Sequence, residues 1–426
     1  MFIILSNFFA FFSGLGSTLF IETPFGRAAM FDLLCFFIAP VLYFLNYKKY
    51  TGAEKRFLLV SLLWLVGSVW SNWWRQEPID IALKGNAIVF NVWCMLVVCI
   101  SLLKKDYRTW MWFMVGNGIS CVISLYYFQN GALLTFAERA GFIGEGGLQE
   151  YLADKQVYPI YFNFILKSVL FPLVALVGFP WLPVVTILMA SAFFLLFNGG
   201  SRSSFGLNLL SSFFIVGYAY LRRLTKLVLD HLILVLSISV VSALLVFSIY
   251  KNLALSGALG EQEFEKYERE MVLSEAGMLG SRDDIIRAWP FLKNHPIVGA
   301  GSSAIDRWGY MEDDFILPGH SALVGAWVQN GIFGLIFWVY ALFVITSFVQ
   351  HRVMRLREYA PFIVITAVYM IWNILFSPFG LYRGEIACLL ALCVVAKDKN
   401  WLDIAEMKLM GGKHVSQKRY NGVRRK

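Results

Sequence analysis

Three polar side chains of complementary chemistry stand at the edges of apolar segments: Arg202, Arg282 and His320. A helix beginning just after Arg202, in "GGSRSSFG", directs its unpaired N–H groups and partial positive charge toward the same surface as the arginine. Guanidinium groups and helix N-termini both favour phosphate oxygens. A neutral imidazole can accept a proton from a hydroxyl near pH 7. Together these residues predict an anion site beside a hydroxyl that loses its proton.

Three neighbouring residues are weaker candidates for the same anion site, namely Ser201, Ser203 and Arg287. Each position also has an ordinary structural interpretation. Arg202 can snorkel beside an N-cap serine, Arg282 and Arg287 can form an ion-pair lattice with the neighbouring aspartates, and His320 can be a common interfacial histidine. The functional interpretation is stronger for the group than for any one residue, because the three chemistries complement each other.

Other charged residues suggest different chemistry. The acidic triplet Glu312, Asp313 and Asp314 can bind a divalent cation, although a solvated loop is the interpretation we favour for so short a cluster. Charges at membrane depth or its edge are costly and often functional. Three residues fall in that class: Lys167, Arg383 and Glu385.

The elements that hold these residues follow from composition. The chain of 426 residues is 58% hydrophobic and only 15% charged, with apolar runs of about twenty residues throughout. Such runs predict membrane-spanning α-helices, because a helix satisfies its own backbone hydrogen bonds where lipid offers none. The fold class is therefore an all-α polytopic membrane protein. The net charge of +9 requires no nucleic-acid partner, because membrane topology and anionic lipid account for it.

Twelve transmembrane helices are predicted. With strict alternation, 22 of the 37 Lys and Arg residues fall on one side, which the positive-inside rule assigns to the cytoplasm together with both termini. The first segment lacks a basic start and is interpreted as a retained span. The predicted spans lie near 3–20, 29–46, 57–74, 86–103, 109–128, 160–178, 181–198, 205–221, 228–250, 321–349, 360–376 and 384–396.

The predicted organisation is one transmembrane domain, 1–396, with a large periplasmic loop, 251–320, between spans 9 and 10, and a basic cytoplasmic tail, 397–426. Within the loop, a short helix opening near Ser281 is expected to break near Pro290. Its apolar face is expected to contain Ile285, Ile286, Trp289 and Leu292. All six cysteines fall in apolar spans, which predicts buried thiols in the core. An interfacial aromatic belt is predicted at Trp70, Trp73 and Trp74.

Three motifs in order, "NGGSRSSFG", "GSRDDIIRAWPFLKNHPIVGAGSSA" and "GHSALVGAWVQNGIFGLIFW", cover residues 198–338. They resemble the O-antigen ligase/polymerase superfamily of bacterial inner-membrane glycosyltransferases. The resemblance implies a GT-C type fold and a glycan donor on undecaprenyl diphosphate. It also implies transfer to a hydroxyl at the periplasmic face, with no nucleotide sugar, cofactor or essential metal. Arg202 and Arg282 match the diphosphate-binding arginines of that superfamily, and His320 matches its catalytic histidine.

The acceptor stays open at this stage. Lipid A-core would make the protein an O-antigen ligase, which we favour, and a second lipid-linked glycan would make it an O-antigen or exopolysaccharide polymerase. A lipid-linked glycan transporter is a more distant alternative, because transporters usually bind charged groups near mid-membrane on interrupted helices. The candidate residues cluster at one predicted surface instead.

Overall fold

Helices dominate the described part of the chain, which in the computed structural model comprises residues 2–17, 19–23, 26–129, 283–302, 321–376 and 383–409. A few isolated positions between 186 and 257 are also described. The four spans predicted between 160 and 250 lie almost entirely outside these residues. Twelve spans and the GT-C type of fold therefore stay predictions.

Ten α-helices can be bounded within the described ranges. In chain order they are α1 (Phe2–Leu15), α2 (Met30–Asn46), α3 (Gly52–Trp74), α4 (Ile79–Leu103), α5 (Thr109–Gln129), α6 (Asp283–Asn294), α7 (Ala322–His351), α8 (Ala360–Phe376), α9 (Arg383–Val395) and α10 (Lys399–Leu409). Short 3-10 helices follow α2 at Tyr47–Lys49 and α7 at Val353–Tyr359. The only described strands, β1 (Phe20–Thr23) and β2 (Gly26–Ala29), form an antiparallel hairpin between α1 and α2.

Four of the described helices, α2, α3, α4 and α7, are long and apolar enough to cross a membrane. The chain is therefore a helical membrane protein, as its composition predicts. Helix α3 begins at Gly52 rather than near residue 57, because a capping box starts it within a polar connection. In that box, Glu54 N donates to Thr51 Oγ1 and Thr51 N donates to Glu54 Oε2. Hydropathy alone does not register such a polar first turn.

Helices α1 and α5 pack unusually closely through two glycines. An added Cβ at Gly14 would lie 2.0 Å from the carbonyl oxygen of Phe113, and one at Gly116 would lie 2.0 Å from that of Phe11. Small residues let helix backbones approach in membranes, where lipid supplies no hydrophobic drive for helix association. Ser17 Oγ adds a hydrogen bond of 2.6 Å to Asn117 Oδ1 at the same crossing.

The core lies where α3, α4, α7, α8 and α9 meet. Trp64 of α3 stacks on Phe337 of α7 with ring centroids 4.6 Å apart, and the aromatic face continues to Trp338. All six cysteines are buried and free, which confirms the interpretation of them as core residues. In the predicted belt, Trp73 and Trp74 are exposed, whereas Trp70 is half-buried and contacts the ring of Phe333.

Four Lys- and Arg-rich connections meet at one end of this bundle. Lys104 forms a 2.8 Å salt bridge with the fully buried Glu54, and Arg352 Nη1 donates to the carbonyl oxygen of Ala396 at 3.1 Å. Arg355 pairs with both Asp403 and Glu406 of α10. We call this region the basic end; it consists of residues 47–56, 104–108, 351–359 and 396–409.

Candidate functional site

Helix α7 is interrupted at Gly331, where φ is 63° and ψ is −151°, values that only glycine adopts without strain. We call this the Gly331 break. A segment after α6, residues 295–302, inserts against the break and is called the 295–302 loop. Backbone hydrogen bonds run from Ile332 N to Ile297 O (3.0 Å), from Ala300 N to Val328 O (2.7 Å) and from Gly301 N to Gln329 O (3.0 Å).

The inserted loop explains how the broken helix is tolerated. Interrupted backbone at membrane depth requires partners from protein, because lipid provides none. The fit is close on both sides: an added Cβ at Gly331 would lie 1.8 Å from Ile297 O, and one at Gly299 would lie 2.6 Å from Gly331 N. The "HPIVGAG" motif therefore has a specific structural role, which is to complete the hydrogen bonding of the α7 backbone.

Polar side chains of α3 and α4 hold the loop and the break from the other side. Ser71 Oγ donates to Gln329 O at 2.7 Å, and Asn72 Oδ1 accepts from Ser302 N at 2.7 Å. The amide of Asn72 also donates to Asn86 Oδ1 of α4 at 2.9 Å. Since buried polar groups are costly when unpaired, this network fixes α3, α4, α7 and the loop in one arrangement.

One residue before the break, Asn330 accepts a 2.8 Å hydrogen bond from the indole Nε1 of Trp64. Both side chains are buried. The bond satisfies the indole N–H inside the bundle and fixes the rotation of the part of α7 that precedes Gly331.

A cation at the same site, Arg75, was missed by the sequence analysis. Its Nε donates to the carbonyl oxygen of Gly299 at 2.8 Å, so the guanidinium is tied to the 295–302 loop. Helix α3 ends here in a Schellman motif, in which Gln76 has φ 53° and Glu77 N bonds to Asn72 O at 3.0 Å. A signal was present in the sequence, because Arg75 lies in a predicted periplasmic connection, against the positive-inside bias.

Helix α6 packs on α7 through Ala288 and Leu292, which are buried against Val328. Trp289, predicted to share an apolar face with Leu292, is 60% exposed, whereas Leu292 is buried. The buried pair has i, i+4 spacing, which places Trp289 beside that contact. The predicted break near Pro290 is wrong, because the helix continues to Asn294. Proline removes one backbone donor there, and packing against α7 holds the remaining turns.

The predicted site residues lie outside the described residues: Arg202, Ser201, Ser203, Arg282 and His320, together with the side chain of Arg287. The structure nevertheless describes the elements next to two of them. Arg282 directly precedes α6, and His320 directly precedes Ser321, the N-cap of α7, whose Oγ accepts from Val324 N at 3.2 Å. The helices that these two residues precede pack against each other.

Of the other charged residues singled out from the sequence, some lie outside the described residues and two lie within them. Lys167, Glu312, Asp313 and Asp314 lie outside the described residues, as does the predicted N-cap Ser281. Arg383 Nη1 lies 3.5 Å from Asp32 Oδ2, which joins the start of α9 to the first turn of α2. Glu385, in the first turn of α9, is buried. Among the described side chains, no group of three or more His, Cys, Asp or Glu residues is arranged to hold a metal ion.

Comparison with known proteins gives no identification. No protein-family model matches the chain, and no curated protein is significantly similar to it.

Proposed function

We propose that this protein transfers a glycan from an undecaprenyl-diphosphate-linked donor to a hydroxyl acceptor at the periplasmic face of the bacterial inner membrane. The observation that carries the proposal is the pairing of α6 with α7. The two helices follow Arg282 and His320 in sequence, and they are packed together. The segment between them fills the Gly331 break, so the described parts of the second and third motifs pack together, which supports the proposal.

The proposed chemistry divides between cations and a base. The acceptor oxygen attacks the anomeric carbon opposite the diphosphate, the carbon–oxygen bond to the diphosphate breaks, and polyprenyl diphosphate leaves. Arg202 and Arg282 stabilise the negative charge on the departing diphosphate, supported by the helix N-termini beside them. His320 takes the acceptor proton, a role worth roughly 10²–10⁴ in rate. Ser201, Ser203 and Arg287 are secondary contacts to the phosphates.

Arg75 joins this proposal as a further cation. Its Nε bond to Gly299 attaches it to the loop that links α6 to the residues before His320. The loop and the end of α3 would therefore hold its remaining N–H groups beside the diphosphate. Three arginines from separate segments would surround one doubly charged leaving group, which suits the fixed donor geometry of guanidinium.

Lipid A-core is the acceptor that we propose first, which makes the protein an O-antigen ligase, and a second lipid-linked glycan is the alternative. A second candidate function is a lipid-linked glycan transporter, since transporters bind substrate on discontinuous helices and α7 is interrupted at Gly331. The break is filled by the 295–302 loop through backbone hydrogen bonds. The backbone groups freed at the break are therefore already bonded to protein and do not face a substrate, which weighs against transport.

The test is glycan transfer by the purified chain in lipid nanodiscs, with a defined polyprenyl-diphosphate oligosaccharide and separate acceptors. We expect Arg202→Ala, Arg282→Ala and His320→Ala each to reduce turnover at least about a hundredfold. His351→Ala is the matched control, because His351 is an exposed histidine at the other end of α7. Transfer to lipid A-core identifies a ligase, and elongated lipid-linked chains identify a polymerase. Normal turnover in all three variants would reject the site.

A further inference from the structure

Three cations at the basic end interact with one another: Arg56 in the first turns of α3, Arg352 at the end of α7 and Lys397 just after α9. Arg352 is held by its bond to the Ala396 carbonyl, one residue before Lys397. Arg56 Nε donates to the Gly52 carbonyl at 3.2 Å. Backbone carbonyls therefore orient two of the three cations and leave their positive charge unneutralised.

Within the described residues, no salt bridge joins these three cations to a carboxylate. The pKa of Lys397 is lowered, first by burial and then by the positive charges of Arg352 and Arg56. Two other cations at the same end are neutralised, since Lys104 pairs with Glu54 and Arg355 pairs with Asp403 and Glu406. Arg56, Arg352 and Lys397 thus form a local excess of positive charge, which favours an anionic ligand.

The surface beside these three cations is apolar. Lys397 Nζ lies 5.9 Å from the ring centroid of Tyr340 and 6.0 Å from that of Phe343. Phe343 is 61% exposed. An exposed stripe runs along α7 through Ile336, Val339 and Phe343, which are spaced i, i+3 and i+7. Helix α3, which packs against α7, carries a similar exposed stripe at Leu59, Leu63 and Val66.

We propose that Arg56, Arg352 and Lys397 bind the phosphate of an anionic phospholipid, with its acyl chains along the stripes of α3 and α7. A phosphodiester supplies the missing negative charge, and the exposed apolar side chains supply a surface that a free anion would not use. A ligand with both a phosphate and acyl chains matches the cations and the apolar stripes together, so a lipid is favoured over inorganic phosphate. The site lies at the opposite end of α3 from Arg75, so it is separate from the proposed glycan site.

The experiment measures retention of dioleoyl phosphatidylglycerol by the purified full chain in detergent, using native mass spectrometry. Dioleoyl phosphatidylcholine and inorganic phosphate are the comparison ligands. We expect the double variant Arg352→Gln/Lys397→Gln to lose at least about tenfold in phosphatidylglycerol affinity, because two charged contacts to the phosphate disappear. The matched control is Lys49→Gln/Lys399→Gln, which removes two exposed cations from the same end and should change affinity less than about twofold.

Equal losses in the two double variants would reject a specific site in favour of diffuse attraction. Equal retention of phosphatidylcholine, or displacement of the lipid by millimolar phosphate, would reject the lipid headgroup as the ligand. Lys397→Gln alone leaves the Arg352 bond to Ala396 intact, so it keeps the test valid if the double variant fails to fold. Phe343→Ser should weaken phosphatidylglycerol binding without removing a charge, and an unchanged affinity would contradict the proposed acyl contact.

Discussion

The guanidinium Nε of Arg75 donates a 2.8 Å hydrogen bond to the carbonyl oxygen of Gly299. This bond joins the end of α3 to the 295–302 loop, although the two residues are more than two hundred positions apart. Ser71 and Asn72 of the preceding helical turn contact the same loop or the break that it fills. The end of α3 is therefore fixed to the 295–302 loop and to the Gly331 break.

Substitution of Arg75 tests whether this cation serves the proposed transfer reaction. We expect Arg75→Gln to raise the KM for the lipid-linked donor roughly ten- to a hundredfold, because a charged phosphate contact is worth about 1.5–3 kcal/mol. Arg75→Lys should recover part of the loss. Arg108→Gln, at the basic end, serves as the control and should leave KM unchanged. A lower melting temperature with an unchanged KM would instead assign Arg75 a structural role.

The Gly331 break gives a prediction about stability. Gly331→Ala should lower the melting temperature of the purified protein markedly. A φ of 63° at this position destabilises the folded state by about 1–3 kcal/mol when the residue has a side chain. The alanine Cβ would also lie 1.8 Å from Ile297 O. Gly52→Ala is the matched control, because an added Cβ there meets nothing within 4 Å. Equal melting temperatures for the two variants would contradict the insertion of the loop at the break.

The crossing of α1 and α5 predicts a similar sensitivity at Gly116. An alanine there would place Cβ 2.0 Å from the Phe11 carbonyl oxygen, so the two helices must separate and lose their packing. We expect Gly116→Ala to destabilise the protein by about 1–3 kcal/mol, measured by thermal unfolding in detergent. A melting temperature equal to that of wild type would mean that the helices do not cross at this point.

Metal removal provides an independent test of the proposed chemistry. If arginines stabilise the leaving diphosphate, transfer should be undiminished in excess EDTA. A strict requirement for Mg²⁺ or Mn²⁺ would direct attention to Asp313 and Asp314, and Asp313→Asn/Asp314→Asn should then abolish activity. Turnover with and without added divalent cation, measured on the same nanodisc preparation, separates the two outcomes.

The sequence predicted the helical membrane class, the approximate limits of α2, α3, α4 and α7, and the burial of the cysteines. Length and hydropathy determine these features locally, because each span must satisfy its own backbone. Its prediction that α6 breaks near Pro290 was wrong. Which side of this short helix is buried depends on the partner helix. Trp289 is therefore exposed while Ala288 is covered by α7.

The sequence by itself placed Arg282 and His320 beside apolar helical segments, because residue order and periodicity are properties of the chain alone. Tertiary structure decided that α6 and α7 pack together, that "HPIVGAG" completes the hydrogen bonds freed at Gly331, and that Arg75 is attached to that loop. It also brought Arg56, Arg352 and Lys397 to one position. These relationships join segments far apart in the chain, so they depend on how the helices pack, which no local pattern specifies.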